Sequence, residues 1–336
     1  MSVKVKSNIA ELVDFKTREL DSRALRDKLT FIDGKPKFAR EAHRVLSRSV
    51  TDSKRFEFQS FEDFLSLVEQ GERANGVDFS TLGYDCWTNT STEYEEDWTN
   101  SDVLDIRGRE HQLDIVNRGF TTQSIFDYYT DVQSRLESNP DTLEKLGSIG
   151  QDCRRKRRAD LAGYLVNIDK AMSGIDPMES MKRNNQSMTV RFFIDLARLG
   201  DERPETVLQS SCVAVAVAKQ LESRGYSTEI KFGTTNFSNS KDLVSCISFV
   251  GKRPDETINE TKMMTFSSAS IFRDFIFSFR YYCLGFGGGM GASFYSLAKP
   301  EKNQEFFQEF TDSDVYIGYN DNLETIVTGV SGVLSD

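Results

Sequence analysis

"MTVRFFIDLARLGDERPETVLQSSCVAVAVAKQLESRGYSTEIKFGTTNF", residues 188–237, is the stretch whose reading decides the fold class. It opens on a compact apolar run, 188–195, too short for a helix, which predicts a strand ending at Asp195. Pro204, whose fixed φ suits the first turn of a helix, starts the next segment. Along that segment Val207, Leu208, Cys212, Val215 and Leu221 fall on one side, and Gly225 marks the stop. A second strand is predicted at 226–233. Strand, helix and strand joined by a right-handed crossover make the two strands parallel.

Working outward, residues 243–250 read as a third strand, and Ile271, Phe272, Phe275, Ile276 and Phe279 recur at helical period. Residues 313–319 give a last strand. Residues 188–336 are therefore expected to form an α/β domain, a mostly parallel sheet with packed helices. Residues 1–150 read as a mainly α-helical domain. A helix over 59–71 starts at a Ser60 cap and stops at Gly71, and a helical stretch over 121–147 breaks at Asn139-Pro140. Residues 151–187 form a basic segment and connector, with a short helix from 161 and a Gly-Ile-Asp-Pro turn at 174–177. A chain of 336 residues is long enough for two domains, because single cores stop growing at about 250 to 300 residues.

Hydrophobic residues make up 38% of the chain and include 25 Phe, enough for a packed core and no case for global disorder. The net charge of −10 makes the surface as a whole a poor match for a phosphate backbone. A nucleic-acid contact is therefore possible only through the basic run at 154–158, where Arg154, Arg155, Arg157 and Arg158 flank Lys156. The amino terminus lacks a signal pattern and no apolar stretch is long enough to span a membrane, so no membrane partner is expected. The expected location is a cytoplasm, or a particle assembled there. Five cysteines stand singly with no C-x-x-C pair, in keeping with a reducing compartment, and Cys212, Cys246 and Cys283 read as small buried hydrophobes. With His43 and His111 as the only imidazoles, no His-based metal site or Ser-His-Asp hydrolase is expected. No metal, cofactor or catalytic residue is expected. Trp87 and Trp98 read as anchors of a small core.

The glycine-rich stretch "GFGGGMG", 285–291, poses a separate question. Gly285, Gly287, Gly288, Gly289 and Gly291 crowd five glycines into seven positions. A phosphate-gripping P-loop needs a lysine after its last glycine, and none follows until Lys299. Gly287, Gly289 and Ala292 satisfy the looser dinucleotide spacing. That fingerprint, however, requires a strand running into the loop, and the preceding residues read as a helix. A helix carboxyl end brings partial negative charge and repels phosphate, so the loop is expected to be a helix-ending turn.

Residues 188–236 resemble the opening strand, helix and strand of von Willebrand factor A-type domains, particularly those of cobaltochelatase subunits and related partners of AAA+ ATPases. In that family an apolar strand ends in Asp-x-Ser-x-Ser and the next strand ends in a Gly-Phe-Thr-Thr-like segment. Here Asp195 ends the first strand and "EIKFGTT" closes the second. The family's metal site needs two hydroxyls after the aspartate, where this chain has Ala197 and Leu199, so the resemblance implies a metal-free, degenerate version. The arginine cluster, short helix and degenerate A-type domain in this order also resemble a group of uncharacterised tailed-phage proteins.

That resemblance implies a phage origin and says little about activity. The first reading is a non-enzymatic protein with a metal-free A-type-like domain acting in protein–protein interaction or self-assembly, with Asp195, Thr234 and Thr235 gathered at the strand carboxyl ends as binding residues. The alternative is a structural component of a phage particle. A third reading is a nucleotide- or nucleic-acid-binding protein using the arginine run and the glycine-rich loop.

Overall fold

The computed structural model describes residues 16–19, 54–76, 123–147, 156–159, 165–166, 178–182, 188–197, 204–237, 244–267, 275–284, 300–318 and 321–335. Strands β1 (Lys16–Glu19) and β2 (Lys54–Phe58) precede helices α1 (Phe61–Ala74), α2 (Gln123–Ser138) and α3 (Pro140–Lys145). Strands β3 (Lys156–Ala159), β4 (Leu165–Val166) and β5 (Met178–Lys182) lead to β6 (Thr189–Asp195), α4 (Pro204–Ser223), β7 (Ser227–Phe237) and β8 (Val244–Lys252). Helix α5 (Glu260–Phe266), a π-helical turn (Phe279–Cys283), α6 (Pro300–Thr311), β9 (Val315–Ile317) and α7 (Leu323–Ser335) follow.

The fold is α/β. One six-stranded sheet runs in the order β1-β2-β8-β7-β6-β9. Three of its five pairings are parallel, β2 with β8, β6 with β7 and β6 with β9. The pairings of β1 with β2 and of β7 with β8 are antiparallel. The expected parallel pair flanking α4 is present, in the register Asp195 opposite Gly233. Strands β3, β5 and β4 form a separate antiparallel sheet.

Three elements depart from the sequence reading. Strand β2 and helix α1, from the stretch read as a separate helical half, belong to the same sheet and core as β6 to β8. A boundary at 150 does not separate these elements, because KRFEF places Phe56 and Phe58 on the apolar face of the sheet. Within the stretch from 161 read as a short helix, the described residues 165–166 are strand β4, paired with β5, and the rest of that stretch lies outside the described residues. Helix α1 does not stop at Gly71 but runs on to Ala74, with Ser60 as its N-cap through a hydrogen bond from the Asp63 N–H at 3.1 Å. Gly71 serves packing instead: a Cβ there would collide with Cys283 Sγ. The break at 139–140 stands as read, Asn139 capping α3 ahead of Pro140. Trp87, Trp98, His43, His111, Cys86 and Cys153 lie outside the described residues.

One face of the sheet is aromatic. Phe58, Phe249 and Phe232 form a row across β2, β8 and β7, since register sets Phe58 opposite Phe249 and Phe249 opposite Phe232. Phe64 stacks on Phe249 at 5.7 Å, Phe266 meets Phe249 edge-on at 5.1 Å, and Phe279 meets Phe58 edge-on at 5.5 Å. Each such ring, wholly buried, contributes about 1.5–3 kcal/mol through removal from water. These contacts hold α1, α5 and the π-helical turn on that face.

The opposite face is charged toward the amino ends of β6 and β7. Arg191 of β6 bonds Asp314 at 2.7 Å and Asp312 at 3.3 Å. Lys231 of β7 bonds Glu57 at 3.1 Å and the Asp312 carbonyl at 3.4 Å, and Arg55 reaches the Glu309 carbonyl at 3.4 Å. Asp312 has a φ of 53° just past the end of α6. Cations gathered at a helix carboxyl terminus complement its partial negative charge, so this network fastens α6 across β2, β6 and β7.

Candidate functional site

At the carboxyl end of β6, Asp195 is 1% exposed and its carboxylate accepts four hydrogen bonds. The Ala197 N–H donates to Oδ1 at 2.8 Å. Oδ2 accepts from the Thr235 N–H at 3.2 Å, the Thr235 hydroxyl at 2.5 Å and the Tyr316 hydroxyl at 2.5 Å. Burial pushes the Asp195 carboxyl from 3.8 up to about 6, and the bonds from Thr235, Tyr316 and Ala197 pull against that rise.

Each partner owes its place to strand geometry. Asp195 sits opposite Gly233, so Thr235 lies two residues further along β7 on the same face. Tyr316 comes from β9, opposite Phe193, and by the same alternation shares that face. Its ring stacks on Phe193 at 5.7 Å and on Phe307 of α6 at 4.3 Å. The hub therefore ties β6, β7 and β9 together under α6. The Asp195 and Thr235 of the sequence reading are brought into contact. Thr234 is also fully buried, but strand alternation sets it on the other face of β7, where among the described residues its hydroxyl finds no hydrogen-bond partner. Tyr316 was missed, and only knowledge that β9 neighbours β6 would have revealed it.

The carboxylate of Asp195 is committed to N–H and O–H donors, so a divalent cation would have to displace them. Ala197, 4% exposed, offers no oxygen side chain beside it. Among the described residues no group of three His, Cys, Asp or Glu side chains converges as a metal site.

Beyond Tyr316 the structure opens. Helices α6 and α7 flank β9 and enclose a cleft of about 960 Å3, lined among others by Gln304, Gln308, Tyr316, Asp321, Glu324 and Thr328. Tyr316 belongs both to this lining and to the Asp195 hub. Asn322 caps α7 by accepting the Thr325 N–H at 3.0 Å, and Asp321 holds the turn before it by accepting the Gly318 N–H at 2.7 Å. Ser210 of α4 donates to the Asp321 carbonyl at 2.9 Å, which anchors this turn to the sheet's helical layer.

The other expected sites stand apart from this one. Arg157 and Arg158 lie in β3, while Arg154 and Arg155 fall outside the described residues. The glycines at 285, 287, 288, 289 and 291 also lie outside them, but the segment that enters the loop is helical, the π-helical turn at Phe279–Cys283, as the sequence reading expects. Cys212, Cys246 and Cys283 are buried free thiols, and burial raises the pKa of each. Among the described residues no helix is long and apolar enough to cross a membrane.

A family model described as "Domain of unknown function (DUF7192)" matches residues 55–330. The chain belongs to this family. The DUF7192 match begins within β2 and ends within α7, so the hub falls inside it, as does the cleft apart from Gly332 and Val333. No curated protein and no solved structure matches the chain.

Proposed function

We propose that this DUF7192 protein is a non-enzymatic interaction or assembly protein built on a metal-free A-type-like domain, and that a protein partner docks in the cleft between α6 and α7. The observation that carries the reading is the coupling of a buried, donor-saturated Asp195 to an open cleft through Tyr316. A carboxylate used this way organises strand ends and binds nothing itself. The parallel pair β6 and β7 around α4, with Asp195 at the end of the first strand and Thr234 and Thr235 toward the end of the second, supports the A-type-like reading. Among the described residues the cleft is lined by amides, hydroxyls and carboxylates beside Phe307 and Val333, a mixed polar and apolar surface of the kind a protein partner contacts.

The test is site-specific photo-cross-linking from Thr328, which lines the cleft, in cells that express the full chain. The expected result is one discrete adduct, identified by mass spectrometry as a single partner or a second copy of the chain, and lost when Gly332 is replaced by Arg. A smear of unrelated adducts from Thr328, no richer than from exposed Glu137 on α2, would overturn the reading. Copy counting in purified particles then separates a built-in particle component from a cytoplasmic partner.

A further inference from the structure

We propose that the partner enters the cleft between α6 and α7 as an extended, basic segment that adds to the outer edge of β9 as a further strand. The proposal rests on the reading of that cleft as a protein-docking site. Strand β9 stands at one end of the six-stranded order, and among the described residues its strand partner is β6. Along a paired strand the main-chain groups of successive residues point to opposite sides. The Ser227 N–H donates to the Met188 carbonyl at 3.0 Å and the Leu196 N–H to the Gly233 carbonyl at 2.8 Å, so the even-numbered residues of β6 face β7 and the odd-numbered ones face β9. Phe193, opposite Tyr316, therefore bonds the two residues that flank Tyr316. The main chain of Tyr316 is directed away from β6, on the side of the cleft that this residue lines.

Side chains already occupy the strand on either side of Tyr316. Gln308 of α6 donates through Nε2 to the Asp314 carbonyl at 2.5 Å, and Asp321 accepts the Gly318 N–H at 2.7 Å. One main-chain acceptor and one main-chain donor, four residues apart, are thus held by an amide and a carboxylate in the way a neighbouring strand would hold them. A third polar side chain reaches across from α6: a Cβ at Gly329 of α7 would lie 3.3 Å from Gln304 Nε2. An incoming strand takes over the bonds to Asp314 and Gly318 with its own N–H and C=O groups, and Gln308 and Asp321, neither of them buried, turn to water. Residues 314–318 offer five positions, about 17 Å of strand.

The lining sets the character of the segment. Asp314, Asp321 and Glu324 line the cleft, and no Lys or Arg is among the described residues that do. Asp314 is paired with Arg191, whereas Glu324 stands exposed in the first turn of α7, where it can meet a cation of the segment. Apart from Phe307, Tyr316 and Val333 the described lining is polar or glycine, too little apolar surface for the stripe of an amphipathic helix. Main-chain pairing needs no such stripe.

The probe is the partner peptide that cross-links to position 328, mapped by mass spectrometry, synthesised with a fluorescent label and titrated against the full chain by anisotropy. The mapped peptide should be basic. N-methylation of its backbone amides, one at a time, should weaken binding by about 10-fold or more at alternate residues, whose N–H faces β9, and have little effect at the residues between. Gln308→Ala, which removes a competing donor, should tighten binding by about 2- to 10-fold, and Glu324→Gln should weaken it by up to about 5-fold. The N-methyl series needs no variant of the chain, so a folding defect does not enter it. Losses without alternation, or a mapped peptide that is acidic or apolar, would overturn the strand proposal and leave the docking reading standing. Absence of a discrete adduct from position 328 would overturn the docking reading and this proposal with it.

Discussion

The Tyr316 hydroxyl donates to Asp195 Oδ2 at 2.5 Å and so joins the edge strand β9 to the carboxyl end of β6. Strand β9 is only three residues long, and this bond, with the stacking of Tyr316 on Phe307, holds it against the sheet under α6. Replacing Tyr316 by Phe keeps the ring stack and removes only the donor. A hydrogen bond to a charged group is worth about 1.5–3 kcal/mol, and Tyr316→Phe should lower unfolding stability by about that amount. Urea denaturation at neutral pH measures it, and a loss below about 0.5 kcal/mol would show the bond to be dispensable.

The same carboxylate predicts a pH dependence with a defined sign. Burial raises the Asp195 carboxyl from 3.8 to about 6, so the folded chain holds this proton more tightly than the unfolded chain. Its favourable contribution is complete below 3.8, declines as pH rises from there to about 6, and is flat above. At 1.36 kcal/mol per tenfold, the ionised group costs the fold about 3 kcal/mol at neutral pH. Asp195→Asn removes the titration. The stability of the native chain relative to Asp195→Asn should therefore fall by about 2.4 kcal/mol between about pH 4 and about pH 7. Parallel urea midpoints across this range would show it, and a pH-independent difference would sink the assignment.

How far the sequence foretells this site depends on where each residue's partner lies. Asp195 and Thr235 are joined by adjacent strands around one helix, and the pattern of 188–237 contains all three elements. Strand, helix and strand periodicity was sufficient there. Tyr316 reaches Asp195 from 121 residues away, through a pairing that no local pattern encodes. Strand β2 escaped for a related reason. Five residues with alternating charge and Phe look like a polar connector until β8 supplies the parallel neighbour that buries Phe56 and Phe58. The same holds for β3 and β5. An arginine run has no strand periodicity of its own, and only its pairing with 178–182 makes it a strand.

Gly71 offers a packing test. It lies inside α1, where Ala is intrinsically the better helix former by roughly 1 kcal/mol, so propensity alone predicts that Gly71→Ala stabilises. The structure predicts the opposite. A Cβ at 71 would collide with Cys283 Sγ, and that thiol is held by its hydrogen bond to the Leu67 carbonyl at 3.4 Å. Overpacking of this kind costs about 1–3 kcal/mol, so Gly71→Ala should destabilise by about that much. Cys283→Ala clears the space, and the double variant should be more stable than the sum of the two single effects implies. Thermal denaturation of the four proteins in the cycle decides between propensity and packing.

Lys252 tests the value of a buried charge in β8. Its side chain is 1% exposed, and Nζ donates to Glu222 at the end of α4, to the Thr228 carbonyl at 2.5 Å and to the Thr228 hydroxyl at 3.0 Å. The Thr228 hydroxyl in turn donates to Glu222 at 2.8 Å, closing a triangle that links α4, β7 and β8. Lys252→Met keeps the aliphatic length but removes one positive charge held against Glu222, whose side chain is only 10% exposed. Breaking a buried pair from one side costs about 3–5 kcal/mol, chiefly because a charge is left uncompensated. Lys252→Met should therefore be severely destabilising. The double variant Lys252→Met with Glu222→Gln, which leaves no stranded charge, should recover more than half of the loss. Guanidinium unfolding of the single and double variants reads out both numbers. If the double variant proved as unstable as Lys252→Met alone, the triangle would owe its strength to packing and not to charge.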